Sequence, residues 1–395
     1  MKRWLSLAAV VVLCLALVIG AACGGEEGEE GVTELKMGVG EPLTGIYGAV
    51  VGIPAKHAFS LAADKIGEFT VGGEQYRWKL IFEDNGPSVA GGTSSTTKFI
   101  FEHNVDFMHQ SGGSPALAAQ PMCQEKGILL DAAGVSPEHF GPDKPLFLQT
   151  SATWAIHIPP FFDWLSKEHP EVKRVGYAVP SDETGYALAD AIDVSAAYYG
   201  IEVVAPEFIP SGTVEYYPLA TRIMSKNPDL LIGTTMMAEP MWELGYEGLC
   251  ATWYWVASGA EKRGWDTVQG YLIFMPHALA GLWPEVDAIV VEFEDRYGVE
   301  LGPSAFWALN VMYVLTDVLR QAGTVDDMDK IIETMETGSF DSLVGPISYG
   351  GEAINGVGHL GIWSSPIYEV VGEHEYRADV YTREETEALV NEVFK

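Results

Sequence analysis

The sequence predicts an α/β protein of two lobes, each built on parallel strands with helices between them. Three observations predict it. The chain has 395 residues, more than one compact core organises and suited to two domains of roughly 100–200 residues each. Short apolar runs alternate with longer amphipathic ones, at separations that suit parallel strands joined by crossover helices. Loops rich in Gly, Ser and Thr follow the runs, where an α/β lobe has its ligand crevice, beyond the carboxyl ends of its strands. With 48% hydrophobic and 20% charged residues, core-forming material is ample, which excludes a largely disordered chain.

The elements follow in order. Met1-Lys2-Arg3, an apolar run from Trp4 to Ile19 and the small Gly20-Ala21-Ala22 have the form of a secretory signal over residues 1–22, shorter than the roughly 20 apolar residues of a membrane span. Cys23 stands directly after the small residues. Residues 23–33 read as a flexible acidic tether, because Gly24–Gly31 (GGEEGEEG) has no apolar side chain to bury. Leu35–Gly40 is strand-like, Gly52–Ile66 helix-like, Trp78–Glu83 and Val105–Met108 strand-like. Ser114-Pro115 opens a helix to Lys126, with Ser114 as N-cap and Pro115 in the first turn, before the apolar run Ile128–Leu130. A second series runs through Val175–Val179, a helix ending near Gly200, a strand from Val203, a helix to Lys226, Leu230–Gly233 and Thr252–Val256. Ser304–Leu319, interrupted by Asn310 and Asp317, is a buried core helix rather than a span. Thr382-Arg383-Glu384-Glu385 has capping-box spacing and starts a terminal helix.

Composition excludes several functions. Lys and Arg total 23 against 55 acids, a net charge of −32, so nucleic acid and anionic membrane surfaces are opposed as partners. Of four cysteines, Cys14 lies in the signal and Cys23 follows it; Cys123 and Cys250 fall in different lobes and make no disulfide framework. Gly112-Gly113-Ser114-Pro115-Ala116 lacks the last glycine of a nucleophile elbow, and Gly38-x-Gly40 lacks the third glycine of a dinucleotide loop. No two of the nine histidines stand four apart, so no metal-ligand spacing is visible. The expectation is a monomer with no catalytic residue, cofactor or metal.

Leu35–Gly48 (LKMGVGEPLTGIYG) resembles the opening strand and Pro-Leu-Thr-Gly loop of the leucine/isoleucine/valine-binding family, the solute-binding components of branched-chain amino-acid ABC transporters. The resemblance continues in order. Gly112–Ser136 resembles the family's ligand loop, helix and next strand-loop, Phe147–Pro159 its first interlobe crossing, Gly270–Pro276 its second, and Gly345–Tyr349 the segment near its third. The segment before Cys23 resembles a lipobox, with Gly20 where an aliphatic residue is usual. What the resemblance implies is a type I periplasmic binding protein: two doubly wound, Rossmann-like lobes joined by three crossing strands. The lobes would comprise residues 34–152 with 277–350, and 153–276 with 351–395. They would close on a small solute and dock on a membrane permease, with Cys23 acylated and the protein outside the cytoplasm.

The resemblance also implies site residues. Gly113 and Ser114 match the loop that holds the ligand's carboxylate, and Gly134 and Ser136 match a second such loop. Tyr186 stands at a family Tyr-Gly position and Met236 near a common tyrosine; Tyr47 and Trp154 are candidates for an apolar wall. The family's partner for the ligand's ammonium would fall near Ala257 or Ser258, neither acidic, leaving Glu239 or Glu261 as substitutes. Two ligand classes therefore stay open: an amino acid held by a relocated acid, or a carboxylate without an amino group. The alternative function is a ligand-sensing receptor of the same fold that signals to a membrane partner; a secreted hydrolase lacks a motif.

Overall fold

A computed structural model describes residues 31–134, 136–210 and 213–395. The signal segment 1–22, Cys23 and the acidic stretch to residue 30 lie outside the described residues. Val32 and Thr33, expected in the tether, are already in the first strand and pair with Gln75 and Tyr76.

The first lobe begins with β1 (Val32–Glu41), α1 (Ile53–Ile66), β2 (Glu68–Val71), β3 (Glu74–Asp84), α2 (Val89–Lys98), β4 (Phe107–Ser111), α3 (Gly113–Lys126), β5 (Leu129–Ala133) and β6 (Phe147–Leu148). The chain then crosses to α4 (Trp154–Glu168), β7 (Arg174–Pro180), α5 (Glu183–Tyr198), β8 (Glu202–Ile209), α6 (Tyr217–Met224), β9 (Leu230–Ile232), α7 (Ala238–Glu243), β10 (Leu249–Thr252), α8 (Ala257–Arg263) and β11 (Leu272–Phe274). It returns for α9 (Pro284–Tyr297), α10 (Pro303–Ala322), α11 (Met328–Thr337), β12 (Ser339–Phe340), β13 (Ile347–Gly350) and β14 (Leu360–Ile362). A last crossing leads to β15 (Ser365–Gly372), β16 (Glu375–Tyr381) and α12 (Arg383–Val393).

Two sheets result, both mixed and mostly parallel. One has the order β2-β3-β1-β4-β5-β6, the other β16-β15-β11-β10-β9-β7-β8, and a small antiparallel sheet joins β12, β13 and β14. Strands of a parallel sheet are covered on both faces and so read as continuous apolar runs; β5 and β9 are buried along nearly their whole length. Helix α10, with fourteen buried residues, packs along α1 and closes the core of the first sheet, while α12 lies on α4 beside the second. Because β14 pairs with β13, residues 351–362 stay with the first lobe's small sheet, beyond the boundary expected at 350. The crossings at 149–153 and 363–364 run side by side: Gln149 N–H donates to His359 O, Gly361 N–H to Gln149 O, and the Trp363 indole to Thr150 O at 2.8 Å.

Three sequence expectations shift. The strand expected at Val105–Met108 lies at Phe107–Ser111, because Asn104 turns left-handed and Asp106 is still occupied with the Lys36 backbone. The N-cap of α3 is Gly112 at φ +98°, not Ser114, which lies inside the first turn. The strand expected at Thr252–Val256 ends at Thr252, whose hydroxyl bonds the Tyr254 backbone and turns the chain out of the sheet. Cys123 and Cys250 are both buried and free.

The terminal helix starts as its spacing requires, with the Thr382 hydroxyl accepting from Glu385 N–H and the Glu385 carboxylate receiving Thr382 N–H at 2.8 Å. Thr382→Ala is expected to lower global stability by about 1 kcal/mol, read as a lower urea midpoint at an unchanged transition slope.

Candidate functional site

The carboxyl ends of the central strands of both sheets face one another. Between them lies a cavity of about 420 Å³, lined from the first lobe by Glu41, Pro42, Tyr47, His109, Gly113, Ser114 and Gly134 among others, and from the second by Trp154, Asp182, Glu183, Thr184 and Tyr254. Ser304, Trp307, Ala308 and Val311 of α10 complete the wall. The lobes touch at both rims. The Thr184 hydroxyl donates to Gly134 O at 2.8 Å on one side, and the Tyr254 hydroxyl donates to Val50 O at 3.1 Å on the other.

The floor is a buried charged network. Parallel pairing sets Val39 opposite His109 and His109 opposite Asp131, so neighbouring strands bring their side chains together beside the end of β1. His109 Nδ1 is 2.6 Å from Asp131 Oδ2, and His109 Nε2 is 3.6 Å from Glu41 Oε1. The second Asp131 oxygen accepts from Thr150 N–H at 2.8 Å, which fixes the acid at the first crossing. Burial opposes a charge on His109, but its hydrogen bond to Asp131 and the nearby Glu41 carboxylate outweigh it and raise its pKa to about 9. Burial pushes the Glu41 carboxyl up, against the nearby His109 and the Ser111 side chain, which favour the carboxylate. Among the described residues Glu41 Oε2 has no hydrogen-bond partner.

The start of α3 supplies donors. Pro115 has no N–H, so the first-turn donors without an intrahelical partner are the amides of Gly113 and Ser114, and both residues line the cavity. Across the gap the Ser114 hydroxyl donates to the Glu183 carboxylate, 3.4 Å from each oxygen. Asp182 is engaged as the N-cap of α5, accepting from Gly185 N–H at 2.9 Å. Among the described residues the Trp154 indole N–H has no partner. Lys and Arg are absent from the described cavity lining.

Of the ten site residues expected from sequence, the structure brings Tyr47, Gly113, Ser114, Gly134 and Trp154 to this cavity. Ser136 is turned away, its hydroxyl 3.1 Å from His139 Nδ1. Tyr186 is half exposed and packs on Phe208 at 5.2 Å, and Met236 lies on the surface against Arg263. Ser258 and Glu261 lie on α8 and line a separate, open groove of about 830 Å³ with Glu300, His277 and His374. There Glu300 accepts the amides of Ala257 and Ser258, and Glu261 pairs with His374 at 3.1 Å. The wall residue that follows β10 is Tyr254 instead. Sequence reading also passed over Glu41, His109, Asp131 and Glu183. The signal for two of them was a titratable side chain inside each of two apolar runs, FMHQS and LLDAA.

Solved structures share this architecture. A leucine binding protein from Thermotoga maritima superposes with a TM-score of 0.71 at 20% identity, over 88% of this chain and 99% of that one. A leucine-, isoleucine-, valine-, threonine- and alanine-binding protein from Brucella ovis, in its closed conformation, gives 0.75 at 14% identity over 89% and 96%. A solute binding protein from R. palustris in complex with benzoate gives 0.73 at 17% over 88% and 96%. At these identities the likeness establishes the fold, the two α/β lobes of a type I periplasmic binding protein. Membership rests on the sequence itself: residues 34–360 match the family model for periplasmic binding proteins, and the chain belongs to that family.

Proposed function

We propose that the protein is the extracytoplasmic solute-binding component of an ABC importer, anchored by a lipid on Cys23 and passing an amino acid or a related small solute to a membrane permease. The observation that carries the reading is a cavity of about 420 Å³ walled by both lobes and bridged at both rims. A solute inside it touches both halves and so favours the closed form by its differential contacts, which a permease can sense. The Brucella ovis protein is named for leucine, isoleucine, valine, threonine and alanine and the R. palustris protein was solved with benzoate, which supports a small solute here as well. Among the described residues no helix is long and apolar enough to cross a membrane.

Thermal-shift screening of the purified protein against amino acids, amines and small carboxylates tests the binding. A ligand at a hundred times its Kd adds about 2.7 kcal/mol of stability, so at least one compound is expected to raise the melting temperature. A panel without a response from folded protein overturns the reading. Mass spectrometry of the intact chain tests the anchor, which an N-terminus other than acylated Cys23 would refute.

A further inference from the structure

We propose that the solute held in this cleft carries a protonated nitrogen with at least one N–H, and that Glu41, on the floor contributed by the first lobe, is its counter-ion. The inference rests on the solute-binding reading above and narrows it to a class of ligand.

The first observation is the orphaned oxygen. Glu41 is 2% exposed, lines the cavity, and has one carboxylate oxygen with no hydrogen-bond donor among the described residues. Buried carboxylates are ordinarily hydrogen-bonded or paired, because desolvation is otherwise uncompensated. The neighbouring base does not fill the need. His109 is committed to Asp131 at 2.6 Å and stands 3.6 Å from the other Glu41 oxygen. Two acids therefore share one imidazolium, and the excess acid is the one that faces the cavity. An ammonium N–H brings both the missing donor and the missing charge.

The rest of the cavity agrees. Glu183 and Asp182 add carboxylates from the second lobe, and among the described residues the lining holds neither Lys nor Arg, so these walls set a negative potential that low surrounding polarity strengthens. The amides and hydroxyl at the start of α3 are the natural seat for an anion. That seat already faces a carboxylate of this chain, because the Ser114 hydroxyl is bonded to Glu183 from across the gap. A ligand carboxylate has to displace or share with Glu183, whereas a cation between Glu41 and Glu183 meets acids on both sides. Tyr47, Trp154, Tyr254 and Trp307 border the space; aromatic faces suit an apolar body next to a cation. The class is therefore a small amine, an amidine or guanidine, or an amino acid bound through its ammonium. Carboxylates without nitrogen, such as benzoate, are disfavoured.

Titration calorimetry on the full protein distinguishes the cases. The nitrogen set is phenethylamine, agmatine, putrescine, leucine and phenylalanine; the nitrogen-free set is benzoate, 4-hydroxybenzoate and phenylacetate. Binding is expected within the first set, and Glu41→Gln is expected to weaken it by roughly 10- to 100-fold, the loss of one charged hydrogen bond. The variant's own melting temperature is expected not to fall, since a buried charge is removed at constant shape. Should E41Q not fold, Glu183→Gln at the half-exposed rim gives the second reading, with a smaller loss of the same sign. Equal affinity of wild type and both variants, or binding of the nitrogen-free set alone, overturns the proposal and leaves the solute-binding reading intact. Silence from both sets counts against that reading itself.

Discussion

Replacing His109 by alanine is expected to cost the protein about 3–5 kcal/mol of stability near neutral pH, the amount lost when one partner is taken from a buried ionic cluster. The wild-type side chain lies between Asp131 and Glu41, and all three are almost wholly buried. Without the imidazolium, two carboxylates remain in one dry pocket with no cation between them, and the ring that packs at a tilt against Phe59, 5.0 Å between centroids, is gone. The measurement is the urea midpoint of wild type and His109→Ala at several pH values. The deficit is expected to shrink above about pH 9, where wild type loses the imidazolium, and to shrink again in acid once either carboxylate is protonated and the repulsion is relieved. A loss under 1 kcal/mol at every pH would mean that the cluster is not charged.

Wild type carries a matching pH signature. His109 has a pKa of about 9 in the fold and roughly 6.5 when unfolded. A base whose pKa is raised by folding stabilises fully below its unfolded value and loses that contribution as pH rises through the folded one. The span corresponds to roughly 3 kcal/mol, present below about pH 6.5 and gone above about pH 9. Glu41, pushed up by burial, acts in the same direction, since an acid that holds its proton more tightly when folded also favours the fold at lower pH. Stability should therefore fall on the alkaline side between these limits, and His109→Ala should flatten that fall.

The lobes were legible in the sequence because parallel strands buried on both faces leave continuous apolar runs, and helices between them leave caps and glycine stops. The site was legible only where it is local. Gly113 and Ser114 sit at the strand-to-helix turn that the chain itself marks with Gly112 and Pro115, and both reach the cavity. Glu41, His109 and Asp131 are far apart in sequence and meet only through the register of three strands, β1 against β4 and β4 against β5. Crossover connections do not specify register the way a hairpin turn does. The second lobe shows a different failure. Trp253-Tyr254-Trp255-Val256 is rich in strand-forming residues and reads as β by propensity. The hydroxyl of Thr252 nonetheless ends the strand, so the cleft loop is that aromatic run, and Ala257 and Ser258, near which the resemblance places the ammonium partner, lie on helix α8. A displacement of a few residues moved the expected site from Tyr254 to Ser258 and Glu261.

Gly185→Ala is expected to damage stability and ligand binding together, through backbone rather than side-chain chemistry. A Cβ at Gly185 would lie 1.8 Å from Pro180 O and 2.6 Å from Pro180 C, so the first turn of α5 and the end of β7 are in backbone contact and one of them must move. Forced overpacking of this kind costs roughly 1–3 kcal/mol where side chains can yield, and here the obstacle is main chain. The turn that moves carries Glu183 and Thr184. Thr184 bridges to Gly134 O on the opposite lobe, and Glu183 meets Ser114. Their displacement by even an ångström breaks the rim contact on that side and shifts the protein toward the open form. The predicted signature is a lower melting temperature with a loss of affinity exceeding that of Thr184→Ala, which removes the bridge alone. Small-angle scattering without ligand should show a larger radius for Gly185→Ala than for wild type. If the two variants bind alike and scatter alike, the close approach at Gly185 matters only to the packing of α5, and the rim contact from Thr184 is what sets closure.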